Sequence, residues 1–162
     1  MTLLEEEKKF NTLENSLEAS PPNAWKLVNS LRDSGYSTYT ALADIVDNSL
    51  DAGANKICID VEYQRGPRGG VGKIDENASI NIFDNGYGMD NTTLKEALRY
   101  GSDTPHDTKN DKGVFGLGLK TAGTSIGRRI KVLTRIAGGE LLCGILDLNI
   151  IAEKNEFVVA YP

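Results

Sequence analysis

The sequence has little cysteine, little histidine and no excess of positive charge, and each shortage excludes a class of protein. Its 162 residues include two cysteines and one histidine, and the net charge is −5. Cys58 and Cys143 lie within apolar, strand-like runs and lack metal-ligand spacing, which predicts buried free thiols in a reducing compartment. Because phosphate backbones are bound mainly by clustered Lys and Arg, we expect no direct nucleic-acid binding from this domain.

Long apolar runs are also missing, so no segment is expected to span a membrane, and the N-terminus is too acidic for a signal peptide. A cytoplasmic protein is therefore expected. The hydrophobic content of 40% is enough for the core of one domain. The pattern predicts an amphipathic arm at residues 1–22, which ends at Pro21-Pro22, followed by a domain at 23–162. The arm either packs on its own domain or contacts a partner.

The domain mixes helical and alternating patterns, which predicts an α/β fold. Helical spacing indicates helices over 23–33, from an N-cap near Thr38 to Gly53, and over 90–99 with Asp90 or Asn91 as the cap. A glycine loop passes into a further helix over 113–123. Alternating or apolar segments predict the strands, which are 56–63, 79–83, 129–136, 140–149 and 156–160.

The second helix carries a polar stripe beside its apolar one. Asp44, Asn48 and Asp51 fall at i, i+4 and i+7, so they share a face. The apolar stripe consists of Leu42, Ile45, Val46 and Leu50. Taken alone, the polar stripe is most simply a solvated helix surface. It can also supply an amide oxygen for Mg²⁺ and a carboxylate that positions water.

A second segment, Asp84-Asn85-Gly86-Tyr87-Gly88-Met89, follows a predicted strand. Gly86 and Gly88 allow the backbone to turn and to approach a flat ligand without a Cβ clash, and Met89 can pack on a ring. An ordinary Asp-Asn-Gly turn after a strand explains the same residues without any ligand.

The third segment is a glycine loop that opens a helix, Gly113-Val114-Phe115-Gly116-Leu117-Gly118-Leu119-Lys120. Its backbone N–H groups, including those of Phe115 and Leu117, and the positive end of the helix dipole suit phosphate groups. Lys120, in the first helical turn, can reach a β- or γ-phosphate. The spacing of Gly113, Gly116 and Gly118 matches neither a Walker loop nor a dinucleotide fingerprint.

Together and in this order, the three segments resemble the sequence boxes of the GHKL ATPases, the superfamily of gyrase B, the ninety-kilodalton heat-shock chaperones, histidine kinases and MutL. The amino-acid sequence of the first and third boxes is most similar to MORC ATPases and their prokaryotic relatives. The segment from Asn48 to Ala54 is equally similar to MutL. The resemblance covers residues from about 36 to 136. It implies the Bergerat fold, an α+β sandwich in which helices lie on one face of a mixed, mainly antiparallel sheet and hold ATP.

The resemblance also implies a role for each site residue. Asp44 stands where the families have a glutamate general base, Asn48 would bind Mg²⁺, and Asp84 would accept the amine of adenine. The phosphates would lie on the third box, under a lid at 100–118. A lid and dimerisation cycle, with a homodimer formed through the arm and the lid, would accompany ATP hydrolysis that Asp44 makes slow.

One family element is missing, because nothing after Lys120 fits the late Gly-Thr element that completes the adenine site. We therefore expect a domain truncated at its C-terminus. Two alternatives stay open at this point. A nucleotide-sensing switch would bind without hydrolysis, and a non-nucleotide α/β interaction domain would require all three boxes to be coincidences.

Overall fold

The computed structural model describes residues 17–33, 35–62, 78–100 and 118–162. Within them the chain forms five helices and four strands, with an isolated bridge near the end. In chain order they are α1 (Ala24–Arg32), α2 (Thr38–Asp51), β1 (Ile57–Val61), β2 (Ile80–Asp84), α3 (Asn91–Leu98), α4 (Gly118–Ile126), β3 (Arg129–Thr134), β4 (Leu142–Asp147) and α5 (Leu148–Lys154).

Polar side chains cap the first three helices. Asn23 accepts a hydrogen bond from Lys26 N at the start of α1, and Asp90 accepts one from Thr93 N at the start of α3. These caps satisfy backbone donors that have no partner within the helix. The cap of α2 is Ser37 and not Thr38, which is its first helical residue. The predicted N-cap of this helix was therefore wrong by one position.

All the strand pairs of the described residues are antiparallel. β1 pairs with β2, with Cys58 opposite Phe83, and β3 pairs with β4, with Val132 opposite Gly144. Helices accompany both two-stranded sheets, so the predicted mixed α/β class with antiparallel pairing is confirmed.

The end of the chain differs from the prediction. The strand expected over 140–149 stops at Asp147, and α5 begins at once, because the Asp147 carboxylate accepts the Asn149 N–H as a helix cap. The side chain of Arg129 holds the other carboxylate oxygen at 2.7 Å. The strand expected over 156–160 is reduced to a bridge, in which Ile145 and Ala160 exchange two backbone hydrogen bonds.

The main core cluster joins α1, β4 and α5. Its buried residues are Ala24, Val28, Leu146, Leu148 and Ile151. α2 packs closely on α4, and the buried residues on these two helices include small ones such as Ala41, Ser49 and Ala122. Small side chains let the helix backbones approach each other. Leu50, expected in the apolar stripe of α2, is 54% exposed.

The cysteines are free, as predicted, but their expected burial was wrong. Cys58 is exposed and Cys143 is half-buried. The apolar strand pattern suggested burial, but β1 is exposed on both faces from Cys58 to Val61. Most of the arm at 1–22 and of the lid at 100–118 lies outside the described residues. Across the described ranges, no helix is long and apolar enough to cross a membrane.

Candidate functional site

The three polar residues of the first box lie on α2 as expected. The Asn48 Nδ2 group donates a hydrogen bond to the main-chain carbonyl of Asp44 at 2.9 Å. This hydrogen bond uses the amide nitrogen of Asn48, so the side-chain oxygen keeps its lone pairs and can ligate a cation. Asp51, the last residue of the helix, is exposed. An exposed amide oxygen one turn from a carboxylate fits the ligand chemistry of Mg²⁺.

Tyr36, which precedes α2, contacts the carboxylate of Asp44. Its hydroxyl donates a hydrogen bond of 2.6 Å to Asp44 Oδ2. This hydrogen bond is the main cause that raises the pKa of Tyr36, and burial and the nearby negative charge raise it further. The phenol therefore stays a protonated donor at neutral pH. Sequence reasoning missed Tyr36, because no spacing rule links a residue outside a helix to the second turn of that helix.

Asp84 stands at the C-terminal end of β2, and both of its carboxylate oxygens are engaged by the chain. Gly86 N donates to Oδ1 at 2.9 Å, and the hydroxyl of Ser49 on α2 donates to Oδ2 at 3.3 Å. Each carboxylate oxygen keeps a further lone pair. Because Asp84 is exposed, these lone pairs are accessible to an amine such as that of adenine. Ser49 thus joins the first box to the second.

The two glycines of the second box are required by the chain's own packing. A Cβ on Gly86 would lie 2.7 Å from the Ala52 carbonyl oxygen. Gly88 has φ of +72°, and a Cβ there would lie 2.0 Å from the carbonyl oxygen of Arg135. The turn over Gly86 and Gly88 therefore packs closely between the residues that follow α2 and those that follow β3, with no space for a side chain at either glycine. Contact of either glycine with a flat ligand stays a prediction.

Thr134, the last residue of β3, holds the far end of this turn. Its hydroxyl accepts a hydrogen bond of 2.8 Å from the backbone N–H of Met89. Thr134 is 9% exposed, so this donor and acceptor are largely removed from water. Sequence reasoning missed Thr134, because a threonine at the end of a strand that alternates charged and apolar residues carries no distinctive signal.

Lys120 occupies the first turn of α4 as expected, but its side chain is fully buried. Its ammonium donates to the main-chain carbonyl of Arg99 at 2.5 Å. Burial lowers the pKa of Lys120 to about 8, against the opposing effect of the nearby Glu96 carboxylate. A phosphate contact by Lys120 stays a prediction, and it would require the ammonium to leave this carbonyl.

The rest of the third box, with Gly113, Phe115, Gly116 and Leu117, lies outside the described residues. Gly118 begins α4, and a Cβ there would meet no atom within 4 Å. Across the described ranges, no three His, Cys, Asp or Glu side chains cluster as a metal site. The described geometry thus brings the first two boxes together through α2 and β2, and α4 packs beside them.

Residues 36–162 match the family model of histidine kinase-, DNA gyrase B- and HSP90-like ATPases. This match covers most of the chain and all three boxes. The chain belongs to this family, and it is accordingly an ATP-binding module of the GHKL type. The Bergerat fold implied by the three boxes agrees with the helices and antiparallel sheets described above.

Within the family the chain is MORC-like. Protein MICRORCHIDIA 5 of Arabidopsis thaliana is 34% identical over 102 residues, which are 60% of this chain and 13% of that protein. ATPase MORC2A of Mus musculus and ATPase MORC2 of Homo sapiens are each 32% identical over 129 residues, which are 76% of this chain and 12% of each relative. The chain thus spans about an eighth of the length of these curated relatives.

Proposed function

We propose that this module binds ATP with Mg²⁺ and hydrolyses it slowly, and that hydrolysis drives a cycle of lid closure and dimerisation. The observation that carries the proposal is the Ser49–Asp84 hydrogen bond of 3.3 Å. This hydrogen bond connects α2, which carries the proposed base Asp44 and the proposed metal ligand Asn48, to the end of β2, where Asp84 would select adenine. Family membership supports ATP as the bound nucleotide. The Ser49–Asp84 contact supports one continuous site formed by the first and second boxes.

At the adenine end, Asp84 would accept the exocyclic amine. Guanine presents a carbonyl oxygen at the corresponding position, and two facing acceptors repel each other. Gly86 N–H and the Ser49 hydroxyl fix the carboxylate in place, so it cannot rotate to relieve such a mismatch. Preference for ATP over GTP is the result expected from this arrangement.

At the phosphate end, Asn48 would hold Mg²⁺ through its side-chain oxygen. Mg²⁺ commonly uses one or two protein ligands together with phosphate oxygens and water. When bound, the ion neutralises charge on the phosphates. The loop from Gly113 to Gly118 would present backbone N–H groups to those phosphates.

Asp44 would act as the general base, accepting a proton from the attacking water through the carboxylate oxygen that Tyr36 does not hold. Asp is one methylene shorter than the glutamate of related families. A displaced base loses contact with the water, and an error of ~1 Å can cost about a hundredfold in rate. Slow hydrolysis follows from this substitution.

The lid and the dimer rest on the sequence pattern and the resemblance. Segment 100–118 has few apolar residues to order it, so contacts with the γ-phosphate would be needed to close it. The arm at 1–22 would contact a second copy of the chain. The free cysteines support a cytoplasmic location.

A second candidate function is a switch that binds ATP without hydrolysing it. The presence of Asp44 in place of glutamate favours this alternative. The two functions differ only in the chemical step, so the same variants distinguish them.

Two measurements on the full chain test the proposal. The first is calorimetry with ATP and with a non-hydrolysable analogue, with and without Mg²⁺. Mg²⁺ should raise the affinity of wild type for the nucleotide, and Asn48→Ala should abolish this dependence on Mg²⁺.

The second is single-turnover hydrolysis at saturating Mg-ATP. The hydrolysis rate should rise in Asp44→Glu and fall to background in Asp44→Asn. Asp47→Asn, at the exposed neighbour of Asn48, is the matched control for the lost charge. A rate that survives Asp44→Asn would contradict the role of Asp44, and absence of ATP binding would contradict the whole proposal.

A further inference from the structure

The carboxylate of Asp44 is held from outside its own helix. Tyr36 lies before the Ser37 cap of α2, and its hydroxyl reaches over the first turns to Asp44 Oδ2 at 2.6 Å. A hydrogen bond of this length to a carboxylate is short and charge-assisted, so it is among the stronger ones in proteins. The raised pKa of Tyr36 keeps its proton in place as the donor.

Only one carboxylate oxygen of Asp44 is engaged in this way. Within the described ranges, Oδ1 has no hydrogen-bond partner. Asn48 holds the main-chain carbonyl of the same residue at 2.9 Å. The backbone of Asp44 is therefore fixed by the metal-ligand candidate and its side chain by Tyr36, and Oδ1 is left available to a water molecule.

An aspartate without such a partner rotates among its side-chain rotamers, and only some of them direct an oxygen at the attacking water. A base that is already short by one methylene tolerates such freedom poorly. We propose that Tyr36 is a positioning residue for hydrolysis, which fixes Asp44 Oδ2 so that Oδ1 faces the water. This inference rests on the proposed function of Asp44 as the base.

A purely structural role for Tyr36 predicts different behaviour. In that case the hydroxyl would only tie residues 35–37 to α2, and its loss would lower stability and ATP affinity together. A positioning role predicts a lower rate of the chemical step with ATP affinity unchanged. It also predicts that the hydroxyl matters only while residue 44 is a carboxylate.

The test compares five forms of the full chain, which are wild type, Tyr36→Phe, Asp44→Asn, the double variant of these two, and Tyr39→Phe. Tyr36→Phe keeps the ring and removes only the hydroxyl. Tyr39→Phe is the matched control, because Tyr39 lies three residues further along the chain, in the first turn of α2, and is 86% exposed. Single-turnover hydrolysis, ATP dissociation constants and urea midpoints are measured for each form.

Tyr36→Phe should lower the hydrolysis rate about ten- to hundredfold. Its ATP affinity should stay within about twofold of wild type, the double variant should match Asp44→Asn, and Tyr39→Phe should match wild type. An unchanged rate in Tyr36→Phe would overturn the positioning role, as would an equal loss of rate and ATP affinity. If wild type itself hydrolyses no faster than Asp44→Asn, the proposed catalysis by Asp44 fails, and the positioning role fails with it.

Discussion

The hydroxyl of Ser49 on α2 lies 3.3 Å from Asp84 Oδ2 at the end of β2, although 35 positions separate the two residues in the chain. Gly86 N–H holds the other oxygen at 2.9 Å. The carboxylate is therefore oriented from two sides while staying exposed on a third. In the proposed function, base selection would depend on this orientation, because the lone pairs that remain can point in only a limited range of directions.

We expect Asp84→Asn to weaken ATP binding by about tenfold, or about 1.4 kcal/mol. The amide can keep both contacts, with its oxygen on Gly86 N–H and its NH₂ group on the Ser49 hydroxyl. The fold should therefore survive, while the charged acceptor for adenine is lost. Asp60→Asn, at an exposed position of β1, is the control for charge. Calorimetry with ATP and GTP measures both effects, and equal wild-type affinity for the two nucleotides would contradict the role of Asp84.

Gly88 and Gly138 offer a matched pair that separates backbone strain from packing. Both have positive φ, +72° and +74°, but only a Cβ on Gly88 would clash, at 2.0 Å from Arg135 O. Gly138→Ala should cost about 1 kcal/mol of unfolding free energy, which is the cost of the left-handed conformation.

Gly88→Ala should cost more than Gly138→Ala by at least about 1–3 kcal/mol, because the turn must also move away from β3. Urea denaturation of the two variants measures the difference. Equal urea midpoints for the two variants would show that the backbone at Gly88 does not pack closely against Arg135. The ATP affinity of Gly88→Ala should fall as well, since Met89 would move with the turn.

The local features of the fold could be predicted from the sequence, because they depend on nearby residues. The helix spacing before Asp51 and the cap at Asp90 are examples, and both are set within a few residues. α5 was missed because apolar residues continue on both sides of Asp147, and the role of Asp147 as a helix cap is visible only in the structure.

The candidate site was predictable in its motifs but not in its internal contacts. The residues of the first two boxes carry recognisable spacing, whereas Tyr36, Ser49 and Thr134 act through single hydrogen bonds that have no periodicity. The same holds for Lys120. A lysine after a glycine loop suggests a phosphate ligand, and only the tertiary structure shows its ammonium on Arg99.

Thr134→Val should lower the unfolding free energy by about 1–3 kcal/mol, since it leaves the Met89 N–H without its acceptor at nearly constant volume. Thr92→Val, at an exposed position of α3, controls for the change in side-chain type. Urea denaturation gives the comparison. If Thr134→Val is as stable as the Thr92→Val control, water or another group replaces the hydroxyl, and Thr134 does not anchor the turn.

Lys120 should make stability depend on pH in the alkaline range. Its pKa is lowered from 10.5 to about 8 in the folded protein, chiefly by burial. Between these two values the unfolded chain binds more protons than the folded chain, so this group makes stability rise as the pH increases. Below pH 8 the cost of the buried charge is fully present, and above 10.5 it disappears. The whole change is on the order of 3 kcal/mol at most.

Lys120→Met removes this titrating group, so the difference in unfolding free energy between wild type and Lys120→Met should change steadily across that window, in favour of wild type at high pH. Urea titrations at several values from pH 7.5 to 10.5 measure it. Lys131→Met, at an exposed position of β3, controls for loss of a positive charge. A difference that stays constant with pH would mean that Lys120 is hydrated in solution. Its ammonium would then be free to reach a phosphate without first leaving the Arg99 carbonyl.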